Sequence, residues 1–312
     1  MAETTALTGD APAGSARRYR AILLVVVAVT LFGVMDGLGR FLSPEFSVLQ
    51  LLWARFAFAI PVVLATTTPA AWLSLLRSER PALQAARSLL PLIASCTVLI
   101  GLTLMPLADI TAITFAAPLF VVALSWPILG ERVRLAVWVS VGLGFVGVLV
   151  VARPGLGTFT WAALFPLASA LLFGLYQVLT RLVSRGDPPA TTLAWTIVVG
   201  FVLTTPLLPL DWQAGSLGGW LLVVLTGLLF GVAHFLLIRA FATAPAAILT
   251  PFTYSQMVAA VLFGMLVLSE VPDPWTLAGT ALIVLAGLYV LRGTRRTPAL
   301  QSEAPASLVE TD

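Results

Sequence analysis

Long apolar runs separated by short polar breaks make up nearly the whole chain between its two polar ends. Crossing a bilayer as a helix takes roughly 17–25 mostly apolar residues. Ten runs of about that length are read at 20–41, 46–66, 87–105, 108–128, 135–152, 160–181, 190–209, 217–239, 246–268 and 274–292. The first carries Asp36 and Arg40 and lacks a small-residue cleavage site, so it is read as a span rather than a cleavable signal. Residues 1–16 and 294–312, rich in Ala, Pro, Ser, Thr and Glu, are expected to be disordered cytoplasmic tails. The longest break, 66–87, contains Trp72 to Arg77, which suits a short amphipathic turn along the interface.

The pattern also repeats itself. Leu104–Phe115, ending at Gly130-Glu131, returns as Thr243–Tyr254, ending at Ser269-Glu270. A constant offset of 139 carries Pro106 onto Pro245, Thr111 onto Thr250, Thr114 onto Thr253 and Glu131 onto Glu270. Nearly the same offset carries Phe32-Gly33 onto Phe173-Gly174 and Arg40 onto Arg181. Two units follow, 17–153 and 154–293, each of five spans. An odd number of spans per unit turns the second unit upside down. The expected fold is therefore an all-α integral membrane protein: ten transmembrane helices in two inverted five-helix repeats around a central cavity. Such repeats are a signature of secondary transporters, whose substrate sits between the halves.

Composition sharpens this picture. Hydrophobic residues form 59% of the chain and charged ones 10%, more apolar surface than a soluble core can use. Lysine is absent, so orientation rests on arginine. With the N-terminus inside, the inner loops receive most arginines and the outer side only Arg40 and Arg153, which places both termini in the cytoplasm. The net charge of +3 reflects this clustering and is not a nucleic-acid signal. The single cysteine, Cys96, excludes a disulfide framework and reads as a packing residue. Trp72, Trp126, Trp138, Trp161, Trp212, Trp220 and Trp275 mostly fall near span ends, as an interfacial belt would.

Polar groups at membrane depth are costly, about 2.5–3.5 kcal/mol for a charge on insertion scales. Asp36 lies one turn from Arg40 on the first span, and Arg55 lies between Ala54 and Phe56, two residues after Trp53, on the second. An Asp36–Arg55 pair reads either as a static clamp or as the receptor for the two charges of a zwitterionic substrate, arginine's planar fork suiting a carboxylate. His234, the only histidine, reads as hydrogen-bonded packing or as a proton carrier. Asp109 reads as a helix cap. Trp53, Tyr176, Gln177, Trp195, Tyr254 and Gln256 suit an apolar pocket with a few polar groups, interhelical hydrogen bonding being the other reading. The candidate substrate-binding set is thus Asp36, Trp53, Arg55, Tyr176, Gln177, Trp195, His234, Tyr254 and Gln256.

The run Pro106 to Glu131, with Ala108, Pro118 and Gly130-Glu131, resembles the fourth-helix signature of the drug/metabolite transporter superfamily, in its ten-helix EamA-like branch. Trp53-Ala54-Arg55-Phe56 is similar to that branch's second-helix Arg-Phe motif, and Phe32-Gly33 to its first-helix entry. The second half departs from the pattern, with Ser255-Gln256-Met257 where a proline is expected and Ser269-Glu270 in place of Gly-Glu. The resemblance implies a basket of helices that moves small metabolites by alternating access across the cytoplasmic membrane. It includes exporters of amino acids, aromatic ones among them, and carriers of S-adenosylmethionine. Export of amino acids is the first expectation, and S-adenosylmethionine uptake the alternative. No cofactor or metal is called for; the expected partners are the bilayer and a small-molecule substrate, and the sequence is compatible with a monomer without fixing the oligomeric state. An intramembrane enzyme lacks its motifs, since neither His-Glu-x-x-His nor Gly-x-Ser-x-Gly occurs. A channel is the third class.

Overall fold

The computed structural model describes residues 10–102, 104, 113–152, 161–267 and 274–295. Among these the secondary structure is helical throughout, with no strand. Six segments are long and apolar enough to cross a membrane: Ala16–Gly39, Val48–Ala65, Trp161–Val183, Pro189–Asp211, Leu217–Thr243 and Ala246–Val267. Shorter apolar helical stretches are Ala117–Leu129, Leu135–Val150 and Pro274–Tyr289. The chain is a multi-pass membrane protein.

Helix α1, Asp10–Leu42, begins within the segment expected as a tail. The second span is split into α2, Val48–Ala57, and α3, Ile60–Ala65. Pro61 lacks the N–H that would continue the ladder, so the helix breaks just before it. A capping box fixes the start of α2: the Ser47 hydroxyl accepts from the Gln50 amide at 3.2 Å, and the Gln50 side chain accepts from the Ser47 amide at 3.1 Å. Next come α4, Pro81–Leu102, α5, Ala117–Leu129, and α6, Leu135–Ala152. The second half contains α7, Leu164–Val183, α8, Pro189–Thr204, α9, Leu217–Thr243, α10, Ala246–Leu249, α11, Ser255–Val267, and α12, Pro274–Arg295. Prolines again set the irregular stretches, with 3₁₀ turns at Thr205–Asp211 and Thr250–Tyr254. The 66–87 break holds a 3₁₀ turn at Pro69–Ser74, whose Leu73 is 92% exposed, as an interfacial segment would present it.

The packing exchanges partners between the halves. Helix α1 runs along α9 and α11, whereas α7 runs along α4 and α5, and α6 lies against α12. Glycines permit the closest approaches. A Cβ on Gly33 would stand 2.9 Å from both the Ala259 Cβ and the Gln256 carbonyl, and 3.2 Å from the Ala260 amide nitrogen. A Cβ on Gly174 would meet the same atoms of Phe120, Ala117 and Val121, at 2.8, 3.2 and 3.3 Å. Those two trios are 139 residues apart, the offset found in the sequence. Neither glycine tolerates a side chain without helix displacement. Gly33→Ala and Gly174→Ala are each expected to lose about 1–3 kcal/mol through overpacking. Gly142→Ala, where an added Cβ meets nothing within 4 Å, serves as the neutral control in the same detergent melting experiment.

Cys96, read from sequence as a packing residue, is exposed on α4. Apolar helix faces look outward in a membrane protein, so an apolar neighbourhood in sequence does not imply burial. Trp72, Trp126, Trp138, Trp161, Trp212 and Trp275 are likewise exposed. Asp109 and Glu270 lie outside the described residues.

Candidate functional site

Three polar groups meet between α1, α2 and α11. The Asp36 Oδ1 stands 3.6 Å from the Arg55 Nη2. The Gln256 side-chain amide donates to the Asp36 Oδ2 at 2.9 Å. Gln256 is delivered there because Gly33, one turn before Asp36, lets α1 lie against the Gln256 backbone. The cluster is not sealed: the Asp36 side chain is 48% accessible and that of Arg55 27%. A charged pair held this loosely leaves valences on both partners for a third molecule.

His234 forms a second centre on α9. Its Nδ1 lies 3.1 Å from the Phe230 carbonyl. Its ring sits 4.8 Å from Phe32 edge-on, 4.1 Å from Phe230 and 6.2 Å from Tyr176, centroid to centroid. His234 thus occupies an aromatic box, and among the described residues no carboxylate bonds to it. Tyr176 joins this box to a third group, for the Arg87 guanidinium lies over its ring at 5.0 Å.

Arg87 is the residue that sequence reasoning missed, having assigned it to the arginines at span ends. It is fully buried, at 0% exposure. Its guanidinium donates to the Gln84 Oε1 at 3.3 Å, the Thr180 Oγ1 at 2.9 Å, the Thr192 carbonyl at 2.8 Å and the Thr196 Oγ1 at 2.6 Å. Gln84 in turn donates to the Asp187 Oδ2 at 2.7 Å. The signal was legible as spacing: Gln84, Arg87 and Ser88 share a face of α4, and Thr192 and Thr196 share a face of α8.

Asp187, in the turn between α7 and α8, ends this network. Burial acts to raise its pKa, but hydrogen bonds from the Ser78 hydroxyl, the Gln84 amide and the Glu79 backbone, with the charge of Arg80, outweigh it and hold the carboxyl below its usual value. A depressed folded-state pKa contributes stability that is present above the unfolded value, near 3.9, and is lost as pH falls through the folded one. Asp187→Asn is therefore expected to flatten the acid limb of the melting curve below about pH 4. An unchanged acid limb would contradict that assignment.

One end of the helix assembly is fastened by Glu131 and Arg181. Gly130 ends α5 with a left-handed φ of 71°. That turn directs Glu131 to the Arg181 Nε, 3.1 Å away, and its second oxygen to the Ala246 amide at 3.0 Å. Arg181 also donates to the Phe241 carbonyl at 2.8 Å, and Arg185 to the Leu129 carbonyl at 2.9 Å. The repeat mates of this pair are Arg40, at an offset of 141, and Glu270, at an offset of 139, and neither side chain is among those described.

The remaining predicted residues divide. Trp53 donates to the Thr205 Oγ1 at 3.1 Å and packs on Phe58 and Phe201, so its contacts are with helix neighbours rather than Asp36. Tyr254 lies against Gly144 of α6 and stacks on Phe115, away from the Asp36 cluster in its contacts. Among the described residues the buried Tyr176 Oη, Gln177 Oε1, Trp195 Nε1 and Tyr254 Oη make no hydrogen bond of good geometry. An unpaired buried polar group costs about 1–3 kcal/mol.

The EamA-like transporter family model matches residues 19–153 and again residues 160–292. A riboflavin transporter of Rhizobium johnstonii is 32% identical over 197 residues, which is 63% of this chain and 65% of that protein, a little under two thirds of its length. An S-adenosylmethionine uptake transporter of Rickettsia prowazekii is 23% identical over 271 residues, 87% of this chain and 92% of that one. A crystal structure superposes with a TM-score of 0.73 at 22% identity, covering 91% of this chain and 98% of its own, which shows a shared fold.

Proposed function

The chain belongs to the EamA-like transporter family, and on that premise we propose that it is a secondary carrier of the cytoplasmic membrane, moving by alternating access a small metabolite with an α-amino-acid end. The proposed frame is ten transmembrane helices in two inverted repeats, 17–153 and 154–293, with both termini cytoplasmic. The exchanged helix partners and the matched surroundings of Gly33 and Gly174 support it. In an inverted pair each half has a conformational counterpart in the other, giving two states open to opposite sides.

One observation carries the substrate class: Asp36 and Arg55, 3.6 Å apart and both accessible, come from the first half, and Gln256 of the second half donates to Asp36. An ammonium and a carboxylate on one carbon match such a pair. The aromatic box of Phe32, Tyr176, Phe230 and His234 favours a ring at the other end of the molecule. Aromatic amino acids and S-adenosylmethionine both have this form. The relatives named for S-adenosylmethionine uptake and riboflavin transport support a ring-bearing cargo, while amino-acid export, the first expectation from sequence, keeps its support from the charged pair alone. His234 is assigned to the box rather than to proton carriage.

Counterflow in proteoliposomes with labelled phenylalanine, S-adenosylmethionine and riboflavin tests the reading. Saturable exchange of either zwitterion supports it. Exchange of riboflavin alone, or flux that never saturates, would overturn it in favour of a different cargo or of a channel.

A further inference from the structure

We infer that the arginine-rich end of the α1–α9 seam is a binding site for the headgroup of an anionic phospholipid. An open niche of about 440 Å³ lies there, lined by Ala16, Arg17, Arg20, Leu24, Arg239 and Thr243. Three arginines from two helices line it, and among the described residues no carboxylate does. Arg17, Arg20 and Arg239 have no ion-pair partner among the described residues; the Arg239 guanidinium lies over the Phe235 ring at 5.6 Å, and Glu131 is committed to Arg181. The preference for arginine at one membrane face explains why such residues stand at this end. It does not explain why three of them share a single concavity without a counter-charge. A phosphodiester supplies that charge, and arginine's planar fork suits its oxygens.

The surface beyond the niche selects a lipid over a free anion. Arg17 and Arg20 sit in the first turns of the apolar span Ala16–Gly39, where a span would leave the apolar layer. Along α1 the exposed Leu23 and Val27 follow Arg20 at three and seven residues, on one face. Along α9 the exposed Leu225 and Val232 precede Arg239 at fourteen and seven residues, again on one face. Both helix flanks therefore lead from the cationic niche into aliphatic stripes, the order of a headgroup followed by its chains. Basic pockets between transmembrane helices bind anionic headgroups on this physical basis. Because α1 belongs to the first half and α9 to the second, a lipid seated here fastens the halves at the end that Glu131 and Arg181 also hold. The site does not depend on which cargo is carried.

Native mass spectrometry of the purified full chain, with phosphatidylglycerol, phosphatidylcholine and inorganic phosphate as probes, tests it. Phosphatidylglycerol is expected to be retained over phosphatidylcholine by roughly tenfold or more, each basic contact contributing several-fold. The Arg20→Gln, Arg239→Gln double variant should lose that preference while keeping its melting midpoint in lipid-free detergent, and the corresponding Arg→Lys double variant should keep most of it. Inorganic phosphate at millimolar concentration should leave the lipid in place. Equal retention of phosphatidylcholine, an unaltered preference in the Gln variant, or displacement by inorganic phosphate would each overturn the inference.

Discussion

Replacing Arg87 by alanine is expected to be the most damaging single change in the chain, lowering stability by about 3–5 kcal/mol. The side chain is wholly buried and donates to four oxygens on α4, α7 and α8, two of them threonine hydroxyls. Thr180 and Thr196 already donate to the Tyr176 and Thr192 carbonyls, so they accept from Arg87 with lone pairs that nothing else reaches. Truncation leaves those acceptors unpaired and opens a cavity beneath the Tyr176 ring. Lysine restores the charge but not the planar set of donors, and Arg87→Lys is expected to recover only part of the loss. Melting in detergent reads both variants. The alanine protein should lose at least about 5 °C from its midpoint, on the usual scaling for large domains. A wild-type midpoint in Arg87→Ala would mean that the network is decoration.

The second large effect concerns Arg55 and Asp36. Arg55→Gln and Asp36→Asn are each expected to reduce transport efficiency by roughly 10- to 100-fold, the range for losing a charged hydrogen bond of about 1.5–3 kcal/mol. Stability should change little, since both side chains are partly accessible and their mutual contact is long at 3.6 Å. This separates the two readings of the pair. A static clamp predicts that either variant damages folding. A receptor predicts that folded protein accumulates and transport falls. The variants should also differ by substrate: in Arg55→Gln, esterified analogues lacking the carboxylate should suffer less than the parent amino acid. Full transport in both variants would remove the pair from the binding site.

Much of the frame was legible in the chain because lipid imposes so few solutions on a backbone. Every amide must be satisfied internally, so apolar runs become helices and their ends fall near the polar breaks. Six of the runs recur as long apolar helical segments among the described residues. The offset of 139 was visible as Pro106 over Pro245, and it reappears in the atoms around Gly33 and Gly174. What the pattern hid was the direction in which side chains point. Cys96 sits in an apolar run yet is exposed, because the surroundings of a span are themselves apolar. Arg87 stands at a span end, where an arginine ordinarily reaches for water, and instead turns inward to a threonine-rich face. Its burial depends on α7 and α8 lying alongside α4, a relation between segments some 100 residues apart that no local pattern encodes. Trp53 and Tyr254 show the same limit: the sequence could not give their partners, Thr205 for Trp53 and Phe115 for Tyr254. Asp36 and Arg55 were identifiable because charge within a span is rare enough to single out its bearers.

Inversion of the halves is the premise on which alternating access rests, and it can be tested with two single cysteines in a Cys96→Ser background. Arg132→Cys and Val271→Cys occupy matched positions, one after each repeated acidic residue. A membrane-impermeant maleimide applied to intact cells should label position 271 and spare position 132, and inside-out vesicles should give the opposite pattern. Labelling of both sites from the same side would contradict the account, because two halves in the same orientation cannot present one receptor to alternate faces of the membrane.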